Sequence, residues 1–255
     1  MKIVFCGYGR AALECFYQLL SNYKVDRSNI IVFTHSSKGN EEFIRHLEVN
    51  NIKFSFESIN KNHEKLSLFK PDYLLSVYYR FVVKKEILEL VNYKAMNSHP
   101  SLLPAYRGVK SSVWAILNGE KYTGVSYHFM NDDIDDGKLI LQKKISISQD
   151  DTAFSLYHKL ISLFSKNFTE AFDLLKSGYE GFEQVGEATY YKRELPHGGM
   201  LKFEETTFDY AKRFVRAMYY PPFKGAFFID SNEDKVEVLS LEELAQYKEK
   251  FKLYL

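Results

Sequence analysis

Lys2-Ile3-Val4-Phe5-Cys6-Gly7-Tyr8-Gly9-Arg10-Ala11-Ala12, directly behind Met1, is the stretch on which the fold turns. Ile3 to Cys6 are apolar without alternation, as in a strand buried on both faces of a parallel sheet. The glycines permit a tight turn and close backbone approach. Leu13, Phe16, Tyr17, Leu19 and Leu20 then recur at helical spacing. Strand, turn and helix together open a βαβ unit. The turn also has the spacing of a dinucleotide fingerprint with alanine in its last place. Such a fold sets an acid for the ribose at the end of its second strand, yet Asn29-Ile30-Ile31-Val32-Phe33 runs into Thr34-His35-Ser36-Ser37. The missing acid leaves an NAD-dependent oxidoreductase as an alternative only.

The alternation continues outward. A helix is expected over about 40–50, a strand at Ile52–Phe56, a short helix over 61–69, a buried strand at Tyr73–Val77 and a helix through Ile87, Leu88 and Leu90. Strands alternating with helices imply an α/β fold, a doubly wound, mostly parallel Rossmann-like sheet. Ligands of such sheets lie beyond the carboxyl ends of the strands. Here those ends are Gly7–Arg10, Thr34–Ser36, Tyr78–Val83 and Asn97–Gly108. A helix from Ser111 to about Asn118 follows, with Trp114 read as core. Residues 123–130 and 139–147 are strand-like, and 148–175 carries an amphipathic helix. Composition shifts near Ser177–Gly181, which divides the chain into a catalytic domain over 1–178 and a small α+β subdomain over 179–255. In the latter, 189–191 is strand-like, 206–219 is helical, and 226–229 pairs with 236–239.

A net charge of +1 from 34 basic and 33 acidic residues argues against non-specific nucleic-acid binding. Cys6 and Cys15 read as small buried hydrophobes in a reducing compartment. There is no signal-peptide pattern and no apolar run near the roughly 18 residues of a membrane span. A cytoplasmic protein with no membrane partner is the expectation.

The chemistry gathers at Asn97-Ser98-His99-Pro100-Ser101-Leu102-Leu103-Pro104-Ala105-Tyr106-Arg107-Gly108. In an extended segment residues two apart share a face, so Asn97 and His99 project together. Pro100 and Pro104 end the strand and stiffen its exit. An N–H donor beside a titratable ring suits acyl chemistry. The loop Asn131-Asp132-Asp133-Ile134-Asp135-Asp136-Gly137 lacks the alternating ligands and closing Glu of a calcium loop. It reads as a solvated turn from which one aspartate reaches back to orient His99. A metal hydrolase using His99, His128 and Asp135 is a rival reading, and a non-catalytic folate- or sugar-nucleotide-binding protein another.

The run at 97–108, with Thr123-Gly124-Val125 and then Asp135-x-Gly137, resembles the formyltetrahydrofolate-dependent formyltransferase family over roughly residues 1–175. That family includes the methionyl-tRNA, glycinamide-ribonucleotide and nucleotide-sugar formyltransferases. Asn97, His99 and Asp135 fall on its catalytic triad. Phe33-Thr34-His35, Tyr78-Tyr79-Arg80 and the tail Tyr220–Phe227 look most like the nucleotide-sugar N-formyltransferases. The methionyl-tRNA type, with its longer basic C-terminal domain, is the alternative. The resemblance implies 10-formyltetrahydrofolate as co-substrate, no metal, and a dTDP-linked 3- or 4-amino-dideoxy sugar as acceptor. It also implies surface-polysaccharide (O-antigen) biosynthesis and a homodimer.

By the same resemblance the sugar amine attacks the formyl carbon through a tetrahedral oxyanion that expels the folate nitrogen. Asn97 would hold the formyl oxygen, His99 accept the amine proton, and Asp135 orient His99 and favour its cationic form. Tyr79, Arg80, Phe81 and Val82, with Asn131, Asp132 and Asp133, are the implied pterin contacts. Diphosphate needs cations, for which Arg10, Arg107, Lys192 and Arg193 are candidates. Tyr78, Tyr219, Tyr220 and Phe223 are the aromatic candidates for the sugar nucleotide, the last three also for a subunit interface.

Overall fold

A computed structural model describes residues 1–250. Its first half alternates as the apolar runs require: β1 (Ile3–Gly7), α1 (Gly9–Asn22), β2 (Ile30–Phe33), α2 (Glu41–Val49), β3 (Lys53–Ser55), α3 (His63–Phe69), β4 (Tyr73–Val77), α4 (Lys85–Glu89) and β5 (Ala95–His99). There follow β6 (Arg107–Gly108), α5 (Ser111–Leu117), β7 (Tyr122–Phe129), β8 (Leu139–Ser146), α6 (Ala153–Lys176) and β9 (Tyr190–Tyr191). The chain closes with α7 (Phe208–Met218), β10 (Ala226–Ile229), β11 (Lys235–Val238) and α8 (Leu241–Ala245).

The chain forms two compact units: Met1–Arg107 with Gly124–Lys143 and Leu160–Ala188, and Gly108–Thr123 with Lys144–Lys159 and Thr189 onward. The units therefore interleave along the sequence.

The first unit is built on a seven-stranded sheet of order β3-β2-β1-β4-β5-β7-β8. β1 runs parallel to β2 and β4, and β4 to β5, while β7 joins β5 antiparallel. Every residue of β1 and β2 is buried, which is why neither shows alternation. Cys6 and Cys15 are fully buried, and burial pushes both thiols well above their ordinary range. The strand order reverses at β1 and β4, so the turn after β1 and the loops after β4 and β5 share one rim. Asn40 ties two points of that rim: its Oδ1 accepts from Gly9 N at 2.7 Å, and its Nδ2 donates to Thr34 Oγ1 at 2.8 Å. The Gly9 amide is thereby engaged within the protein, unlike the glycine turn of a dinucleotide site.

In the second unit α5 packs on α7, and Arg213 Nε donates to Leu117 O at 3.1 Å. Ala211, Phe214, Val215 and Met218 form the buried stripe of α7. β10 and β11 pair antiparallel. Trp114, read as core, is half-buried and stacks on Tyr191 at 4.6 Å between ring centres. Helix α6 begins at Ala153 rather than near Ser148 because Thr152 caps it and Asp151 ties down the turn ahead of it. Asp151 accepts from Ser148 N and Ser155 Oγ, and Thr152 Oγ1 accepts from Ser155 N.

Candidate active site

β5 ends in Asn97, Ser98 and His99, two strand residues on one face with a third between them. Both outer side chains reach Asp135, which lies in the loop between β7 and β8. Asn97 Nδ2 is 3.3 Å from Asp135 Oδ1, and His99 Nδ1 is 3.3 Å from Asp135 Oδ2. His99 is 4% exposed and Asp135 9%, so the contact is removed from solvent. A fourth group joins them: His128 Nε2 lies 3.1 Å from Asn97 Nδ2 and 3.5 Å from Asp135 Oδ1.

The protons can be placed from the carbonyl partners. His99 Nε2 meets Tyr106 O at 2.8 Å, and a carbonyl only accepts, so Nε2 carries the hydrogen. Nδ1 is then the open nitrogen, and a proton taken up by the ring lands on it, against Asp135. Burial pushes the His99 ring below its ordinary 6.5, outweighing the upward pulls of Asp135 and the Tyr106 carbonyl. Asp135 does pull the ring toward its cation, but removal from water is the larger effect, so the resting ring is neutral.

The loop that holds Asp135 is braced from a distance. Asp135 itself sits at φ 54°, a left-handed conformation uncommon outside glycine. Gln184 Nε2 donates to Asp135 O and to Gly137 O, both at 2.9 Å, while its Oε1 accepts from Arg107 Nη2 at 2.8 Å. Arg107 also pairs with Asp136 Oδ1 at 2.5 Å. Gly137 leaves no room for a side chain, since a Cβ there would lie 1.9 Å from Phe129 O. Gly137→Ala is therefore expected to destabilise the protein by about 3 kcal/mol, read as a lower urea midpoint.

The other sequence-predicted residues fall as follows. Tyr78, at φ 57°, sets its ring edge-on to Phe164. Tyr79 stacks on His35 at 4.9 Å, and its hydroxyl accepts from Ile59 N at 3.0 Å. Arg80 N is 3.2 Å from His35 Nε2, and its guanidinium lies 3.8 Å over the Tyr8 ring. Phe81 and Val82 are exposed, at 43% and 56%, as is Ile134 of the acidic loop. Asn131 Oδ1 accepts from Asp133 N, and Asp132 and Asp133 face solvent. Arg10 pairs with Glu14 one helical turn on. Arg107 meets Asp136 and Gln184 through Nη2, while its Nε is buried without a hydrogen-bond partner among the described residues. Lys192, Arg193, Tyr219, Tyr220 and Phe223 all belong to the second unit. Lys192, Arg193 and Phe223 are exposed there, and Tyr220 packs edge-on to Phe154 and Tyr157.

Sequence reading missed Asn40 and Gln184, named His35 without giving it a contact, and gave His128 only to a rival reading. Their partners are too far along the chain for spacing to reveal: Gln184 is 49 residues from Asp135, and Asn40 31 from Gly9. Among the described residues no cluster of His, Cys, Asp and Glu could hold a metal, and no helix is long and apolar enough to cross a membrane.

A family model described as formyl transferase matches residues 2–172. A GDP-perosamine N-formyltransferase of Brucella melitensis biotype 1 is 39% identical over 230 residues, 88% of this chain and 87% of its own. Among solved structures, an N-formyltransferase from Helicobacter canadensis in complex with folinic acid and dTDP-3-aminofucose superposes with TM-score 0.79 at 22% identity. The match covers 94% of this chain and 86% of the other. A 4-N formyltransferase from Francisella tularensis gives 0.78 at 24%, covering 94% and 97%. At such identities the two structures speak for the fold.

Proposed function

Since this chain belongs to the formyl transferase family, we propose that it moves a formyl group from 10-formyltetrahydrofolate to the amine of a nucleotide-linked amino sugar. The observation that carries the reading is the convergence of Asn97 and His99, from the end of one strand, on Asp135, from a distant loop of the same compact unit, each within about 3.3 Å of its carboxylate. The donor supplies an activated formyl carbon, and everything else falls to the protein. Asn97 stabilises negative charge building on the formyl oxygen through a side-chain N–H. His99, neutral at rest, takes the amine proton as the new C–N bond forms and returns one to the folate nitrogen as the old bond breaks. Asp135 keeps the ring in register and pairs with it while it is charged. Phe81, Val82 and Ile134 offer exposed apolar walls of the kind a flat heterocycle needs.

For the acceptor, the Brucella relative favours a GDP-linked sugar over the dTDP-linked one implied by sequence resemblance alone. A product destined for surface polysaccharide, implied by the sequence resemblance, belongs to the same proposal. Residues 1–178 are assigned the chemistry, and 179–255 contacts to the sugar nucleotide and to a second subunit of a homodimer. The methionyl-tRNA alternative is disfavoured by a net charge of +1, which offers little to a polyanion.

The test is turnover with 10-formyltetrahydrofolate and a panel of GDP- and dTDP-linked 3- and 4-amino-dideoxy sugars, read by mass spectrometry. Formyl gain on a GDP-linked member is expected. Folded protein that formylates none of them, yet formylates methionyl-tRNA, would sink the assignment.

A further inference from the structure

His128 belongs to no motif that marks the site, yet it touches two of the three groups given roles above. It stands directly across the β5–β7 ladder from Asn97 and is 3% exposed. Its Nδ1 lies 2.8 Å from Phe129 O, so that nitrogen donates and carries the hydrogen. In the neutral ring Nε2 then keeps a lone pair, 3.1 Å from Asn97 Nδ2. Only the NH2 end of the Asn97 side chain can face such a nitrogen, because the amide oxygen would meet it lone pair to lone pair. Asn97 therefore gives one N–H to His128 and points the other toward Asp135 Oδ1, across a longer 3.3 Å. The long contact is the one a formyl oxygen can replace.

We propose that His128 is a positioning residue for the oxyanion donor: its fixed tautomer sets the Asn97 carboxamide in the one orientation that keeps an N–H available to the reacting oxygen. The inference rests on the formyl-transfer reading. The ionisable groups around His128 are Asp135, at 3.5 Å, and His99, which shares that carboxylate.

His128→Phe removes the acceptor and keeps bulk, while His128→Gln keeps an acceptor. The first is expected to lower kcat about tenfold, the size of one orienting hydrogen bond, with KM for the formyl donor little changed. The second should recover most of that loss. In an Asn97→Ala background, His128→Phe should cost nothing further, because the group it orients is gone. A loss that simply multiplies with that of Asn97→Ala would overturn the proposal, as would His128→Gln no better than His128→Phe. Nitrogen-15 histidine NMR of the wild-type protein adds a readout independent of turnover and of whether His128→Phe folds. An Nδ1–H tautomer at His128 with a hydrogen-bonded Nε2 is expected, and an Nε2–H tautomer would defeat the idea. Wild-type protein that shows this tautomer but transfers no formyl group would instead count against the reaction, leaving the arrangement of His128 and Asn97 intact.

Discussion

Asn97→Ala should lower kcat by about 10²–10³, the loss typical of a single oxyanion donor. The effect is large because the side chain works where water is largely excluded, between two buried histidines and a buried aspartate. Ground-state binding of the formyl donor needs this N–H far less than the transition state does, so KM should move little while kcat falls. Stability should change by less than activity, since Asn97 is only partly buried and contributes no apolar surface to the core. Steady-state kinetics beside a denaturation curve checks both. Full turnover by Asn97→Ala would remove the oxyanion role.

His99→Ala is expected to cost about 10²–10⁴ in kcat, the range of a lost general base. The pH dependence gives it a signature. Burial holds the folded pKa of His99 below 6.5, and the ring must be neutral to accept a proton. Wild-type kcat/KM should therefore fall on an acid limb centred below 6.5, and that limb should vanish in the residual activity of His99→Ala. Stability follows the same group. Where the folded pKa lies beneath the unfolded one, the unfolded chain binds more protons, so stability is complete above 6.5 and declines as pH falls through the folded value. Urea midpoints measured down through that window should drop for the wild type and drop less for the variant.

Much of this site was readable because its parts are local. Asn97 and His99 are two apart in a strand, and their shared face follows from strand geometry alone. The buried runs β1 and β4 announced a parallel sheet through unbroken apolar sequence. Asp135 was harder: four acids sit in five positions, and only likeness to a family picked one. The structure spends them differently, Asp135 on His99, Asp136 on Arg107, and Asp132 and Asp133 on solvent. The protein partners of Arg107 could not be seen in sequence, because only folding brings Asp136 and Gln184 to it. The neutral state of His99 was unreadable for a similar reason, since sequence shows the carboxylate that raises a pKa but not the burial that lowers it.

The reach of Gln184 has a bearing on how short an active protein can be made. A chain cut at the last turn of α6 would keep every strand of the large sheet and all three reacting side chains. It would nonetheless lose the carboxamide that grips the Asp135 and Gly137 carbonyls and holds Arg107 in place. Such a fragment would own the whole toolkit with one jaw of the vice missing, so the boundary of the working enzyme lies beyond the boundary of its sheet.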